Sequence, residues 1–191
     1  LGAAAIGAKY QAVSITEMID IFELASSYAI TPSFATAFQG ANVRNTYAGM
    51  MNYNGLLAVQ FYQLGFRGEV GGIATTFGDI LATEFDNTKV ADDLGTRYEI
   101  MRGYFKPYSA CRYSHAVIDA TRSISDQVSS HNVEKIIVET YDIASKLNRQ
   151  HPKTPLAARF SIPYIIASTL HDGDAQAESF TTDAIQRIDI L

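Results

Sequence analysis

The residues whose types and spacing could do chemistry crowd into one stretch. It runs Tyr104, Phe105, Lys106, Pro107, Tyr108, Ser109, Ala110, Cys111, Arg112, Tyr113, Ser114, His115. No Asp or Glu lies between Glu99 and Asp119, so Arg102, Lys106, Arg112 and His115 make a local positive patch in a chain of net charge -5. Pro107 biases Lys106 toward extended backbone, which puts the lysine in a loop. Arg112 and His115 fall at the start of the next expected helix, where main-chain N–H groups and the helix dipole also favour anions. Together these groups suit a small polycarboxylate. A lysine desolvated there, or crowded by Arg112, would lose its proton and act as a base. Composition alone favours a plainer reading, a solvated basic loop, because clustered charges are seldom catalytic.

Other candidates are weaker. Cys111 is the one cysteine. A nearby cation would make it a nucleophile by lowering its pKa, but no Cys-His-Asn pattern accompanies it, and a small packing residue is the better reading. His115, His131, His151 and His171 show no metal-ligand spacing, so no metal is expected. Gly68 to Gly72 matches neither a phosphate loop nor a dinucleotide fingerprint and reads as a turn.

The elements that position these residues can be read from periodicity. Ala3 to Ala12 reads as a small-residue helix. Ser14 and Glu17 fit a capping box for a helix that ends before Pro32. A longer helix is expected from Thr46 to Leu64, stopped by Gly65, and a short one from Asn87 to Leu94. The character changes near Gly103. A helix is expected over Arg112–Val128, a strand over Glu134–Tyr141, and a helix over Pro155–Leu170 broken by Gly173. Thr181 or Thr182 can cap a last short helix. The expected fold is an all-α part, residues 1–102, followed by an α+β part, residues 103–191.

Composition narrows the class. With 191 residues, 47% hydrophobic and 18% charged, the chain can bury a core and is not a disordered tail. The acidic balance argues against a general nucleic-acid surface, and no apolar run reaches the length of a membrane span. The opening residues lack the basic n-region of a signal peptide, and a cytoplasmic protein is expected.

Lys106 to His115, followed by Ile118-Asp119-Ala120, resembles the K-P-Y-P-x-C-R-x-x-H-x-x-I-D-A segment of the MmgE/PrpD family. That family includes 2-methylcitrate dehydratase, cis-aconitate decarboxylase and iminodisuccinate epimerase. Phe160 to Tyr164, with Leu170 to Gly173, is similar to its F-S-x-x-Y-x-x-A-x-x-L-x-D-G segment. Val43 to Gly49, with Gly55, Gly65 and Phe66, resembles K-x-L-H-x-G-x-x-A-x-x-G ending in G-F. The opening Leu1 to Ala5 resembles the residues that come directly after the family's W-H-x-T-G motif.

The resemblance implies a partial helical domain followed by an α+β lid domain, in a homodimeric enzyme of propionate-catabolism type. It further implies that the chain is an internal piece of a longer protein, with negligible activity alone. The implied chemistry is that of a lyase or isomerase without cofactor, a 2-methylcitrate dehydratase-like hydro-lyase or an epimerase. It would take a proton next to a carboxylate of a small di- or tricarboxylic acid. Lys106 matches the lysine at the start of the lid, and Tyr164 a pocket tyrosine; these are the implied catalytic pair. Arg44 stands for the lysine of the K-x-L-H segment and Tyr47 for its histidine, which puts both in substrate binding with Cys111, Arg112 and His115. Cys111 falls where cis-aconitate decarboxylase has a histidine, so the departures speak against decarboxylation. The expected partner is the substrate and a second copy, with neither nucleic acid nor membrane. The rival reading is an inactive piece or a carboxylate-binding module.

Overall fold

A computed structural model describes residues 1–128 and 132–187. The chain divides into two compact units, residues 1–32 with 45–103, and residues 33–44 with 104–191.

In the first unit three helices pack together: α1 (Gly2–Tyr10), α2 (Ile15–Ser26) and α4 (Tyr47–Gln63). Small residues let α1 and α4 approach closely. A Cβ added at Gly55 would lie 3.0 Å from the Ala3 side chain. Ala4, Ala8, Ile21, Leu24, Ala58 and Val59 form the core between them. The capping box is present, with the Ser14 hydroxyl accepting from the Glu17 N–H at 3.3 Å and the Glu17 carboxylate accepting from the Ser14 N–H at 2.7 Å. After α4 the main chain of Gly68 presses on α2, where a Cβ would sit 2.3 Å from the Leu24 nitrogen. A single turn, α5 (Gly72–Ala74), runs into a wide π turn at Thr75–Ile80. The helix expected near Asn87 is a 3-10 turn, Asn87–Ala91, capped by Asp86.

The second unit begins with α3 (Ala35–Gln39). It continues with α6 (His115–Ile124), α7 (Asp142–Ser145), α8 (Pro155–Arg159) and α9 (Ile162–Asp172). Tyr108, Ile118, Ala158, Tyr164, Ile165 and Phe180 are among its core residues. α3 reaches this core through Gly40, which ends it at φ 69° and leaves no room for a side chain: a Cβ there would lie 2.5 Å from the Ala157 Cβ. The Thr154 hydroxyl donates to the Gly40 carbonyl at 3.1 Å and caps α8 by accepting from the Ala157 N–H at 3.1 Å.

Three further expectations need correction. The described residues contain no strand, and the α+β assignment of the second part gives way to an all-helical one. Glu134 to Tyr141 has the composition of a strand, but a strand exists only when a neighbour completes its ladder, and no described residue does so. The single helix over Pro155–Leu170 is two. Pro163 has no N–H to give and its ring clashes one turn back, so the helix stops at Arg159 and restarts under the Ser161 cap, whose hydroxyl accepts from the Tyr164 N–H at 3.1 Å. Arg112–Val128 is also shorter as α-helix, with 3-10 turns at Arg112–Ser114 and Ser125–Gln127 flanking α6.

Replacing Gly40 by Ala adds both left-handed strain and an overlap with α8. A loss of about 1–3 kcal/mol is expected in denaturant unfolding. An unchanged midpoint would show that the α3–α8 contact is looser in solution than these distances imply.

Candidate functional site

The site is built on the loop before α6. The main chain of this loop is pinned to distant segments. The Ser109 N–H donates to the Ala175 carbonyl at 3.1 Å and the Cys111 N–H to the Arg159 carbonyl at 2.8 Å. The Gln176 amide donates to the Pro107 carbonyl at 3.1 Å. The Ala110 carbonyl then serves two side chains: Lys106 Nζ at 3.5 Å and His115 Nε2 at 3.4 Å. One carbonyl therefore ties the loop lysine to the first residue of α6.

His115 is 2% exposed and meets the Tyr108 ring edge-on at 5.3 Å. Burial lowers its pKa, the Ala110 carbonyl opposes, and the charges of Arg112 and Lys106 lower it further, so the imidazole is neutral near pH 7. With Nε2–H donating to Ala110, Nδ1 carries the lone pair, and it is buried without a partner among the described residues. Cys111 is buried, and this pushes its thiol up; a main-chain hydrogen bond at Tyr113 and the charges of Lys106 and Arg44 pull the other way without reversing it. Its side chain packs with Leu147, Ile162 and Ile166, which fits the packing reading better than a nucleophile.

Arg44 lies beside two rings, 5.0 Å from the Phe34 centroid and 5.6 Å from that of Phe160, and its charge is felt at Cys111. Within the second unit the charges of Arg44 and Lys106 both act on Cys111, and that of Lys106 also on His115, although Arg44 comes from a segment some 60 residues earlier. Lys106 and Arg112 are exposed, and Arg112 lies over the Tyr104 ring at 5.5 Å. Arg102 pairs with Glu99 at 3.6 Å in the first unit. Tyr47 opens α4 there, half-buried. Tyr164 is 2% exposed, packs on Phe180 and donates its hydroxyl to the Ser179 carbonyl at 2.7 Å. Burial raises its pKa. Its proton is already committed inside the core.

One functional-looking cluster is not among the candidates that the sequence offers. The Tyr108 hydroxyl donates to Asp119 and accepts from Arg122 at 3.2 Å. The Asp119 carboxylate as acceptor holds the phenol above its usual pKa, burial adds to this, and Arg122 opposes it. The spacing of Asp119 and Arg122, one turn apart on α6, is the signal that could have found it. No group of three His, Cys, Asp or Glu side chains among the described residues is placed to hold a metal. His131 lies outside the described residues. No described helix is long and apolar enough to cross a membrane.

Comparison with known proteins agrees with this region. Residues 108–191 match the model of the MmgE/PrpD C-terminal domain. The chain is also 23% identical to cis-aconitate decarboxylase of Mus musculus over 198 residues, an alignment covering 98% of this chain and 40% of that protein.

The His115 geometry sets a pH dependence. Its folded pKa lies below the unfolded value of about 6.5, so the unfolded chain binds the proton more readily. Stability is therefore full above that value and falls as pH drops below it. Denaturant unfolding between pH 7 and pH 5 is expected to show this slope, and His115→Gln to flatten it. An identical slope in the variant would place the titration elsewhere.

Proposed function

We propose that the protein is a lyase or isomerase acting on a small di- or tricarboxylic acid, a reading supported by the match of residues 108–191 to the MmgE/PrpD C-terminal domain. The observation that supports the reading is that the charges of Arg44 and Lys106 both act on Cys111, beside the start of α6. Arg44 holds a substrate carboxylate with its planar fork, oriented by Phe34 and Phe160. Among the described residues Lys106 has only a long contact to a carbonyl, which leaves its ammonium for a second carboxylate or for the proton beside it. Fixed cations acidify that α-proton by stabilising the enediolate that develops. Arg112 adds charge at the rim. Cys111 and His115 shape the floor, both uncharged. Tyr47 remains a candidate for substrate binding. Tyr164 supports the core in this reading, with its hydroxyl bound to Ser179.

Among reactions of this class, dehydration of a 2-methylcitrate-like acid, or epimerisation, fits better than decarboxylation. Cys111 stands where the decarboxylase resemblance calls for a histidine, and its protonated thiol is a poor proton carrier. The chain spans two-fifths of the curated relative it matches. A second reading is a carboxylate-binding module without turnover. The engaged Tyr164 hydroxyl favours it, since that leaves Lys106 as the one proton carrier of the implied pair.

Turnover of 2-methylcitrate, citrate and iminodisuccinate analogues by the intact protein tests the proposal. Lys106→Ala is expected to lower kcat by about 100-fold or more, the usual worth of a general acid–base group. Arg44→Lys is expected to raise KM about tenfold with a smaller change in kcat, because the bidentate contact is lost. Binding of citrate in calorimetry without turnover of any of these acids would favour the module. Unchanged kcat in Lys106→Ala would remove the role given to that lysine.

A further inference from the structure

The loop that carries Lys106 is held on two sides. Toward the turn after α9, the Gln176 amide donates to the Pro107 carbonyl at 3.1 Å and the Ser109 N–H to the Ala175 carbonyl at 3.1 Å. Asp174 accepts from the Ala175 N–H at 2.7 Å and so fixes that turn. Toward α6 the tie is a side chain. Tyr108, itself buried, donates its hydroxyl to the Asp119 carboxylate and accepts from Arg122 Nη1 at 3.2 Å. The Arg122 guanidinium also lies 5.9 Å from the Tyr108 ring centroid, and the charge of Asp174 is felt at it. Both bonds to the hydroxyl are charge-assisted, which makes them stronger and more directional than neutral ones. The carboxylate sets where the O–H points and the guanidinium takes a lone pair, so the phenol has one orientation.

That orientation is passed on to the lysine. Lys106 stands two residues before Tyr108. The Tyr108 ring meets the His115 ring edge-on at 5.3 Å. His115 Nε2 and Lys106 Nζ then share the Ala110 carbonyl, at 3.4 Å and 3.5 Å. Phenol, imidazole, carbonyl and ammonium form one row, anchored at its far end on α6. We propose that Tyr108, Asp119 and Arg122 are positioning residues, which clasp the lysine loop to α6 and thereby fix the Lys106 ammonium for proton transfer. The proposal rests on the role given to Lys106 above. A free lysine side chain spreads over many rotamers, and a misplacement of about 1 Å at a reacting group can cost about 100-fold in rate. The three residues act through the lysine and not on the acid itself. Asp119 and Arg122 are exposed, so water takes the place of the hydroxyl when it is removed. Loss of the clasp therefore separates position from stability.

Tyr108→Phe in the intact protein tests this, with two readouts. The first needs no substrate. Amide hydrogen exchange at Ser109 and Cys111 is expected to quicken about tenfold, while the melting temperature stays within about 3 °C of wild type. The second is turnover of the acids named above. The variant is expected to lose about tenfold in kcat with KM within about twofold, because the tie matters when the proton moves. Asp119→Ala is expected to match it, and the double variant to be no worse than either single one, since both remove the same bond. Asp119→Asn keeps an acceptor oxygen and is expected to stay within about threefold of wild-type kcat. Unchanged exchange in Tyr108→Phe would overturn the clasp. Faster exchange with unchanged kcat would overturn its hold on the lysine and leave the reaction reading intact. Additive losses in the double variant would show that the two residues act separately, against the proposal. A wild type that turns over none of the acids would sink the reaction reading and the catalytic half of this inference with it, and exchange alone would then decide the clasp.

Discussion

The carbonyl of Ala110 is the point on which the second unit's charged residues depend. It accepts from Lys106 and from His115, and the residues to either side are pinned by their main chains, Ser109 to Ala175 and Cys111 to Arg159. A loop fixed this way cannot carry its lysine freely through solvent. The hydrogen bonds cross long stretches of sequence, so they also bind the end of α8 and the turn after α9 to the start of α6. Their net contribution is about 1 kcal/mol each, but an unmade one would leave a buried donor or acceptor unpaired at greater cost.

The basic stretch is consequently not one uniform surface. His115 is inside and neutral, whereas Arg112 and Lys106 are both exposed, the lysine with its ammonium 3.5 Å from the loop's own carbonyl. The missing carboxylate of the stretch arrives from α6, where Asp119 takes the Tyr108 proton into a hydrogen bond that Arg122 shares. Charge balance is restored one turn further along the helix, and among the described residues Lys106 and Arg44 have no acidic partner. An acidic substrate fits that imbalance.

The helices are largely legible in the sequence because their signals are local. The Ser14–Glu17 capping box sits as expected, α4 stops next to Gly65, and α9 ends at Gly173, which adopts φ 78° as a left-handed cap. The expectations that fail have one cause each. Pro163 falls inside an apolar pattern that suggests one helix, although a proline can only begin one. Glu134–Tyr141 has the side chains of a strand, whereas a strand is a property of a pair. Tyr164 is a separate matter: the resemblance gives it a catalytic part, and here its buried hydroxyl donates to the Ser179 carbonyl.

By itself, the sequence determined the helix boundaries that caps, prolines and glycines mark, the acid-free stretch around Lys106, and the motifs that resemble one family. These depend on neighbours within a few residues or on residue identity alone. The tertiary structure decided which charges share a site. Arg44 joins Lys106 because Gly40 lets α3 pack against Ala157 and carries residues 33–44 into the second unit. It decided that burial moves the pKa of His115 down and that of Cys111 up, which no spacing encodes. Among the described residues it gives residues 133–140 no ladder, since backbone pairing needs a second strand in space and composition supplies only one.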